Sequence, residues 1–494
     1  VTFNWADSFD VYAAVADMGN NYWTSLNTAS MSFVAGRFTG SRALSMTAGG
    51  TGFLSKVSGQ NDAVHHIVVS FNQTQAISGT TIGAYLALAD GATFQCTIAF
   101  KSNGDILLIQ GNSAGAVLDT YVGAVTTNNT WYGFEFEIVI NDTTGSWAVR
   151  KNGNTVNDHA ASGLNTRGGT ANNYANRLQI GESASVNAQI YDDLYWQSGA
   201  ATGTWLGDIR SYTRMPASDA SVQFTKQSLV GQFIPTGGIA INPSTSATRS
   251  VYTPITMLYD GTIGQVIVAF VYTFTGNVKM ALFANGANIP TTLLGAANVL
   301  TNPVIGNNVF TFPSPPSVSK GVQYWVGIEG DGTHASCFNG NSNQGVFSNQ
   351  SYASFPTSNP STGTGAEGIQ TTVLVTPAGN YVCVYEAQQD GLTTTVQDAN
   401  PGDADFYGLA PLAIVPNAVI ATNLRAYAQK SDVGTRILAA QLKSGATTVA
   451  TPNVVLNSPG FQWVSRMDVT DPNTGLAWSP TAIDVVQIGP QLIA

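Results

Sequence analysis

Over the first 210 residues the apolar positions come in short runs rich in β-branched and aromatic residues, and no twelve-residue stretch carries a 3.6-residue period. VHHIVVSFNQ (64–73) predicts one strand. Thr81–Gln110 predicts several more, punctuated at Asp90-Gly91 and Asn103-Gly104, dipeptides that suit type I′ hairpin turns because both central residues of that turn need φ > 0. Thr130–Val156 predicts three strands broken at Asn141–Gly145 and Asn152-Gly153, and Arg177–Gln197 two further ones. Many strands at short spacing with Gly/Asn turns describe a sandwich or barrel. From about 225 to 383 the pattern continues with GQVIVAFVYTF (264–274), NVKMALFA (277–284) and GVQYWVGIEG (321–330), separated by FPSPPS (312–317) and by SFPTSNPSTGTGAEG (354–368), which reads as an exposed loop. In the last stretch, 384–494, one helical turn is expected where Ser479-Pro480 offers a start signal.

Composition narrows this picture. Only 10% of the 494 residues are charged, against about 25% in ordinary soluble domains. The surface is therefore solvated by Gly, Thr, Ser and Asn, residues of strands and turns. Net charge is −10 with 19 scattered Lys and Arg, so neither nucleic acid nor an anionic membrane surface is an expected partner. The longest dense apolar run, Val266–Phe274, falls far short of the roughly 20 residues of a membrane span. The opening VTFNWADSFD has neither the basic nor the apolar region of a signal peptide. Cys96, Cys337 and Cys383 form no CxxC pair and read as buried thiols, with a Cys337–Cys383 bridge as the alternative.

WYGFEFEIVI (131–140), followed by a turn and a strand ending in KNG (151–153), resembles the concanavalin A-like (laminin G-like) lectin and glucanase sandwich. With DSFDVYAAVADMGNNYW (7–23), GRFTGSRAL (36–44), YDDLYW (191–196) and WLGDIR (205–210), residues 1–215 are similar to lectin-like proteins of tailed bacteriophages and prophages. The last region resembles the segment that directly follows the GDIR-type ending in such proteins. The middle region would then be an insertion between two parts that usually adjoin. The resulting expectation is an all-β string of antiparallel sandwich (jelly-roll) domains: a concanavalin A-like one at 1–215, a jelly roll at 225–383 and a C-terminal sandwich at 384–494.

Glu135 and Glu137 are the candidate catalytic pair. Flanking Phe136 on a strand, they share a face with Cα atoms about 6.5–7 Å apart, a spacing within reach of glycosidase carboxylates. Glucanases of the resembled fold carry a third acid, and Ile138, Val139 and Ile140 supply none here, so the favoured reading is two glutamates on a solvated strand face. Asp192 and Asp193 suggest calcium, yet successive strand residues point to opposite faces, so one at most would serve a given site. Asp398, Asp403 and Asp405 read as an Asp-rich turn. His65 and His66 should face opposite ways, and neither His159 nor His334 has a metal-ligand partner at short spacing; Cys337 near His334 reads as coincidence. No nucleophile elbow, P-loop or dinucleotide fingerprint occurs. Most of the nine tryptophans should be core, the remainder being stackable on sugars.

No catalytic, cofactor or metal residue is therefore assigned, and no cofactor is expected. The favoured function is a bacteriophage virion structural protein of tail, fibre or capsid-decoration type, non-enzymatic, at the particle surface. Its expected partners are other virion proteins, copies of itself (trimers in the resembled families) and host glycans bound through avidity. The alternatives are a secreted glycoside hydrolase using Glu135 and Glu137, and a bacterial surface adhesin, against which the missing leader counts.

Overall fold

A computed structural model of the chain describes residues 2–47, 52–182, 189–226, 230–233, 250–270, 274–331, 346–348, 355–357, 363–364, 371–386, 388–390, 394–412, 414–457 and 460–494. The described residues are almost entirely antiparallel strands. They form two compact units, one of residues 1–215, 386–390 and 399–494, the other of 216–385 and 391–398. Among the described residues no helix is long and apolar enough to cross a membrane.

The first unit is built on two facing sheets. One runs β13 (His159–Leu164), β12 (Gly145–Lys151), β11 (Trp131–Val139), β6 (Val64–Gln73), β15 (Gln189–Ser198), β4 (Arg42–Met46) and β3 (Met31–Ala35), with β1 (Phe3–Asp7) also paired to β15. The other runs β10 (Val117–Tyr121), β9 (Ile106–Gln110), β8 (Thr93–Lys101), β7 (Ile82–Asp90), β14 (Ala175–Glu182), β5 (Phe53–Asp62) and β2 (Ser25–Asn27). Alternate residues of each strand fill the space between: Ile67, Val69 and Phe71 of β6, Phe134, Phe136 and Ile138 of β11, Leu86 and Leu88 of β7, Ile98 and Phe100 of β8. Their period of two is that of a strand, in which successive side chains point to opposite faces.

Each Gly dipeptide makes its turn differently. Asn152 (φ 54°) and Gly153 (φ 74°) are both left-handed, as a type I′ turn requires. Asn103-Gly104 instead closes a longer loop in which Gly104 alone is left-handed (φ 86°), a type I turn with a G1 bulge. At Asp90-Gly91 the expected pair is displaced by one residue: Asp90 pairs with Thr93, so the loop is Gly91-Ala92, and of these two only Gly91 has positive φ (60°). Glycine at the first loop position is the type II′ arrangement, which follows the strand twist equally well.

The C-terminal part of this unit contains a sheet of Phe406–Leu409, Gln487–Leu492, Ile437–Ser444 and Thr447–Ala450, and a two-stranded ribbon of Thr422–Ala428 with Gln462–Asp468. A one-turn helix, α1 (Pro480–Asp484), begins as expected, with Ser479 Oγ accepting from the Ala482 N–H at 3.1 Å. The ribbon is apolar on one face, where Leu424 and Val464 join a core with Leu438, Leu442, Trp478 and Ile483. Its other face carries Asn423, Arg425, Tyr427 and Trp463 onto the sandwich. Arg425 reaches Asp7 (3.2 Å), the Ala6 carbonyl (2.9 Å) and the Tyr22 hydroxyl (2.6 Å), and Trp463 Nε1 donates to the Asp17 carbonyl at 2.8 Å.

The second unit is also a pair of antiparallel sheets. In one, Thr371–Pro377 and Gly306–Thr311 flank Gly261–Phe270; in the other, Gln323–Gly330 lies between Asn277–Gly286 and Ser250–Thr256. Val266, Val268, Met280, Leu282, Phe310, Val326, Ile328, Val373 and Val375 fill its core. Of the 354–368 segment only 355–357 and 363–364 are described, and Phe355 is buried against Phe283 rather than exposed.

Cys96 and Cys383 are buried, as expected of thiols in a core; Cys337 and His334, and with Cys337 the alternative of a Cys337–Cys383 bridge, lie outside the described residues. Burial pushes the Cys96 thiol up to about 12. Thiol labelling of Cys96 in the folded protein, followed by peptide mass spectrometry, should therefore proceed only at the rate of unfolding. Labelling in the native state as fast as in denaturant would contradict this packing.

Candidate functional site

Glu135 and Glu137 do share the outer face of β11, but the face is not solvated. The chain leaves β15 at Ser198 and returns across this sheet as a strap, residues 199–214, and carboxylates of the sandwich take hold of it in order. Glu137 accepts from the Gly203 N–H. Glu135 Oε1 accepts from Leu206 N at 2.5 Å and Oε2 from Gly207 N at 2.9 Å. Asp193 Oδ1 accepts from Ser211 N at 2.8 Å, and Asp10 Oδ2 from the Thr213 hydroxyl at 3.1 Å. Glu135 is consequently 3% exposed. Burial pushes its carboxyl above the ordinary range, and the Leu206 and Gly207 N–H groups pull it part of the way back.

Side chains complete the strap. Trp205 lies under Arg150 (4.2 Å to the ring centroid) and edge-on to His66. Asp208 forms a bidentate pair with Arg37, both contacts at 2.6 Å, and Arg210 covers the Phe38 ring at 4.1 Å. This packing explains Gly133, the small residue in WYGFEFE: a Cβ there would sit 2.3 Å from Asp208 Oδ1. The WLGDIR and GRFTG motifs of the sequence are thus two halves of one fastening.

Asp192 and Asp193 depart from the expected opposite facing. The β15–β6 register shifts between Asp192 and Tyr195, and Asp193 is left-handed (φ 47°). This β-bulge turns Asp193 to the same side as Asp192, and alternation resumes with Leu194 inward. Asp192 Oδ2 accepts from Arg37 N (2.8 Å), and Asp193 Oδ2 from Ser70 Oγ (3.1 Å). Both carboxyls are held well above the ordinary range, first by burial; Asp193 adds to the rise at Asp192, and the charge of Asp10 adds a little at both. Arg37, whose guanidinium is committed to Asp208 and Ser70, offsets this only in part. Among the described residues no three His, Cys, Asp or Glu side chains group as metal ligands.

The other candidates are structural or peripheral. His65 faces the core beside Trp196 and His66 faces the strap, opposite ways as expected. Asp405 is buried under the Tyr407 hydroxyl (2.6 Å), while Asp403 accepts from Asn400 in a surface turn. Seven tryptophans are buried; Trp131 and Trp205 are half-buried. One cluster carries no sequence signal because its members are 12 to 40 residues apart: Asp119 Oδ2 accepts from Trp147 Nε1 (2.8 Å) and meets His159 Nε2 (2.7 Å) where the edges of the two sheets approach.

No protein-family model matches the chain, and no curated protein matches it in sequence. Among solved structures, it overlaps loosely with the metal-free carbohydrate recognition domain of Emp46p (8% identity, TM-score 0.24, 34% of this chain and 87% of that one). It overlaps similarly with arcelin-5, a lectin-like defence protein from Phaseolus vulgaris (8%, TM-score 0.28, 41% and 99%). A third is the exoplasmic/lumenal domain of VIP36 in its Ca2+/Man3GlcNAc-bound form (10%, TM-score 0.26, 36% and 85%). The sandwich assignment rests on strand order and core rather than on these overlaps.

Proposed function

We propose that the chain is a non-catalytic structural protein of a bacteriophage particle, displayed at its surface as a homo-oligomer and presenting glycan-binding β-sandwiches to the host. The observation that carries the non-catalytic part is the occupation of Glu135 and Glu137. A retaining or inverting hydrolase needs two carboxyls open to a glycosidic oxygen and to the anomeric carbon or a water. Here both carboxylates hold backbone N–H groups of the strap, and Trp205 with Arg150 lies alongside. The particle assignment is supported by the phage-type sequence motifs, and by a neutral polar surface suited to close packing of many copies without charge repulsion.

Glu135→Gln tests the catalytic alternative. An amide keeps one acceptor of the two, so one strap N–H loses its partner, and stability should fall by about 1–3 kcal/mol in denaturant unfolding. Reducing-sugar release from bacterial surface polysaccharides should be absent in both proteins. Release by the wild type that Glu135→Gln abolishes would establish the hydrolase instead. Electron microscopy of phage particles with antibody against this chain tests the location, and a monomer that associates with no particle would refute it.

A further inference from the structure

We propose that the end of the sandwich where β10 and β13 meet is a binding site for a neutral pyranose, built on Tyr121, His159 and Asp119. It rests on the glycan-binding part of the function proposed above and says where on the chain that binding occurs.

The site is pre-organised from below. Trp147, 1% exposed, donates its indole N–H to Asp119 Oδ2 at 2.8 Å, and the same oxygen meets His159 Nε2 at 2.7 Å. With Nε2 facing the carboxylate, the His159 ring is held in one orientation. Its ring is edge-on to Trp147 (centroids 5.4 Å, 69°) and parallel to Tyr121 (5.2 Å, 5°). A buried indole thus fixes a carboxylate and an imidazole that both stay a quarter exposed (25% each). Burial, the largest single influence, raises the Asp119 carboxyl, but the hydrogen bonds from Trp147, His159 and the Thr120 N–H, with the charge of His159, together outweigh it and keep the group below the usual carboxylate range. It is therefore an ionised acceptor throughout the neutral range.

A fastening between the two sheet edges would need only Trp147, Asp119 and His159. Tyr121, packed in part on the sandwich core, adds an aromatic ring parallel to the imidazole. An aromatic ring beside a fixed acceptor is what a pyranose requires: its C–H face packs on rings, and its hydroxyls donate to a carboxylate. The sign of the site selects among sugars. Asp119 and the nearby Asp158, which acts on Tyr121, make the edge negative, so sialic and uronic acids are repelled and neutral sugars accepted.

Saturation-transfer NMR on the full chain tests this, with glucose, galactose, mannose, rhamnose and N-acetylglucosamine as probes and glucuronic and N-acetylneuraminic acids as anionic controls. At least one neutral sugar should receive saturation at its ring protons, and the acids none. Asp119→Asn should weaken that binding about ten- to a hundredfold, the loss expected for a hydrogen bond to a charged group. Tyr121→Ala, whose ring contributes no buried hydrogen bond, should weaken it comparably and carries the test alone if Asp119→Asn disturbs the edge. Binding that survives both substitutions places the glycan elsewhere and overturns this site while leaving the glycan-binding function intact. Acids bound as well as neutral sugars would overturn the selectivity. A wild-type chain that binds none of the probes removes the glycan-binding function along with the site.

Discussion

Arg425→Ala should destabilise the unit formed by 1–215, 386–390 and 399–494 by about 3–5 kcal/mol. The guanidinium is 9% exposed and Asp7, its partner, is fully buried. Nη1 and Nη2 each lie 3.2 Å from Asp7 Oδ1, Nη2 also donates to the Ala6 carbonyl and the Tyr22 hydroxyl, and the Tyr22 ring stacks on Cζ at 3.8 Å. Asp7 is further held by Phe9 N, Tyr12 Oη and Trp23 Nε1. Truncating the arginine leaves a buried carboxylate without its counter-charge, which costs far more than a lost surface pair. Denaturant unfolding should show the loss directly. Arg425→Lys should recover little, since an ammonium cannot span the same acceptors as a planar fork. Arg425→Leu combined with Asp7→Asn should recover a substantial part, because no lone charge remains. A shift below about 1 kcal/mol for Arg425→Ala would mean that the ribbon is not seated on the sandwich through this pair.

The second large effect concerns pH and the Asp192–Asp193 bulge. Both carboxyls titrate above the value of about 3.9 that they take in an unfolded chain. Above that value the native state therefore holds protons that the unfolded state has released. Stability changes with pH as the protons bound by the unfolded state minus those bound by the native state, and that difference is negative here. The contribution of the pair thus weakens as pH rises from about 4 through the neutral range, opposite to the usual effect of a salt-bridged aspartate. Asp193→Asn should remove much of this slope. Asn can still accept from Ser211 N, can donate to Ser70 Oγ, and adopts the left-handed backbone of residue 193 readily. It should be more stable than wild type by on the order of 2 kcal/mol near pH 8 and nearly equal to it near pH 4. Taking the difference between the two proteins at each pH cancels carboxylates that do not act on the bulge, such as Glu135. A difference that stays constant with pH would exclude proton uptake at the bulge.

Much of the strand framework was legible because its information is local. Val64–Gln73 is rich in β-branched and aromatic residues, Ser479-Pro480 supplies a helix start, and Asn152-Gly153 supplies a turn in which both residues tolerate positive φ. The misread positions share one cause. Glu135 and Glu137 were correctly assigned to a common face, but whether that face meets water depends on a strap some 70 residues further on. Asp192 and Asp193 were assigned by strict alternation, which holds only while the β15–β6 register is unbroken. Asp119, Trp147 and His159 carry no recognisable spacing, because sheet edges, not sequence neighbours, bring them together.

The sequence by itself determined that this protein is all-β and where most of its strands run, since strand composition and turn chemistry act over a few residues. Only the tertiary structure decided what covers the faces of those strands. The ribbon of Thr422–Ala428 and Gln462–Asp468 offers Arg425 and Trp463 to one neighbour and Leu424 and Val464 to another. The strap converts an apparent pair of catalytic acids into backbone anchors. Both outcomes depend on long-range pairing, in which a charged side chain is buried only because its partner, hundreds of residues away for Arg425 and Asp7, arrives with matching hydrogen bonds.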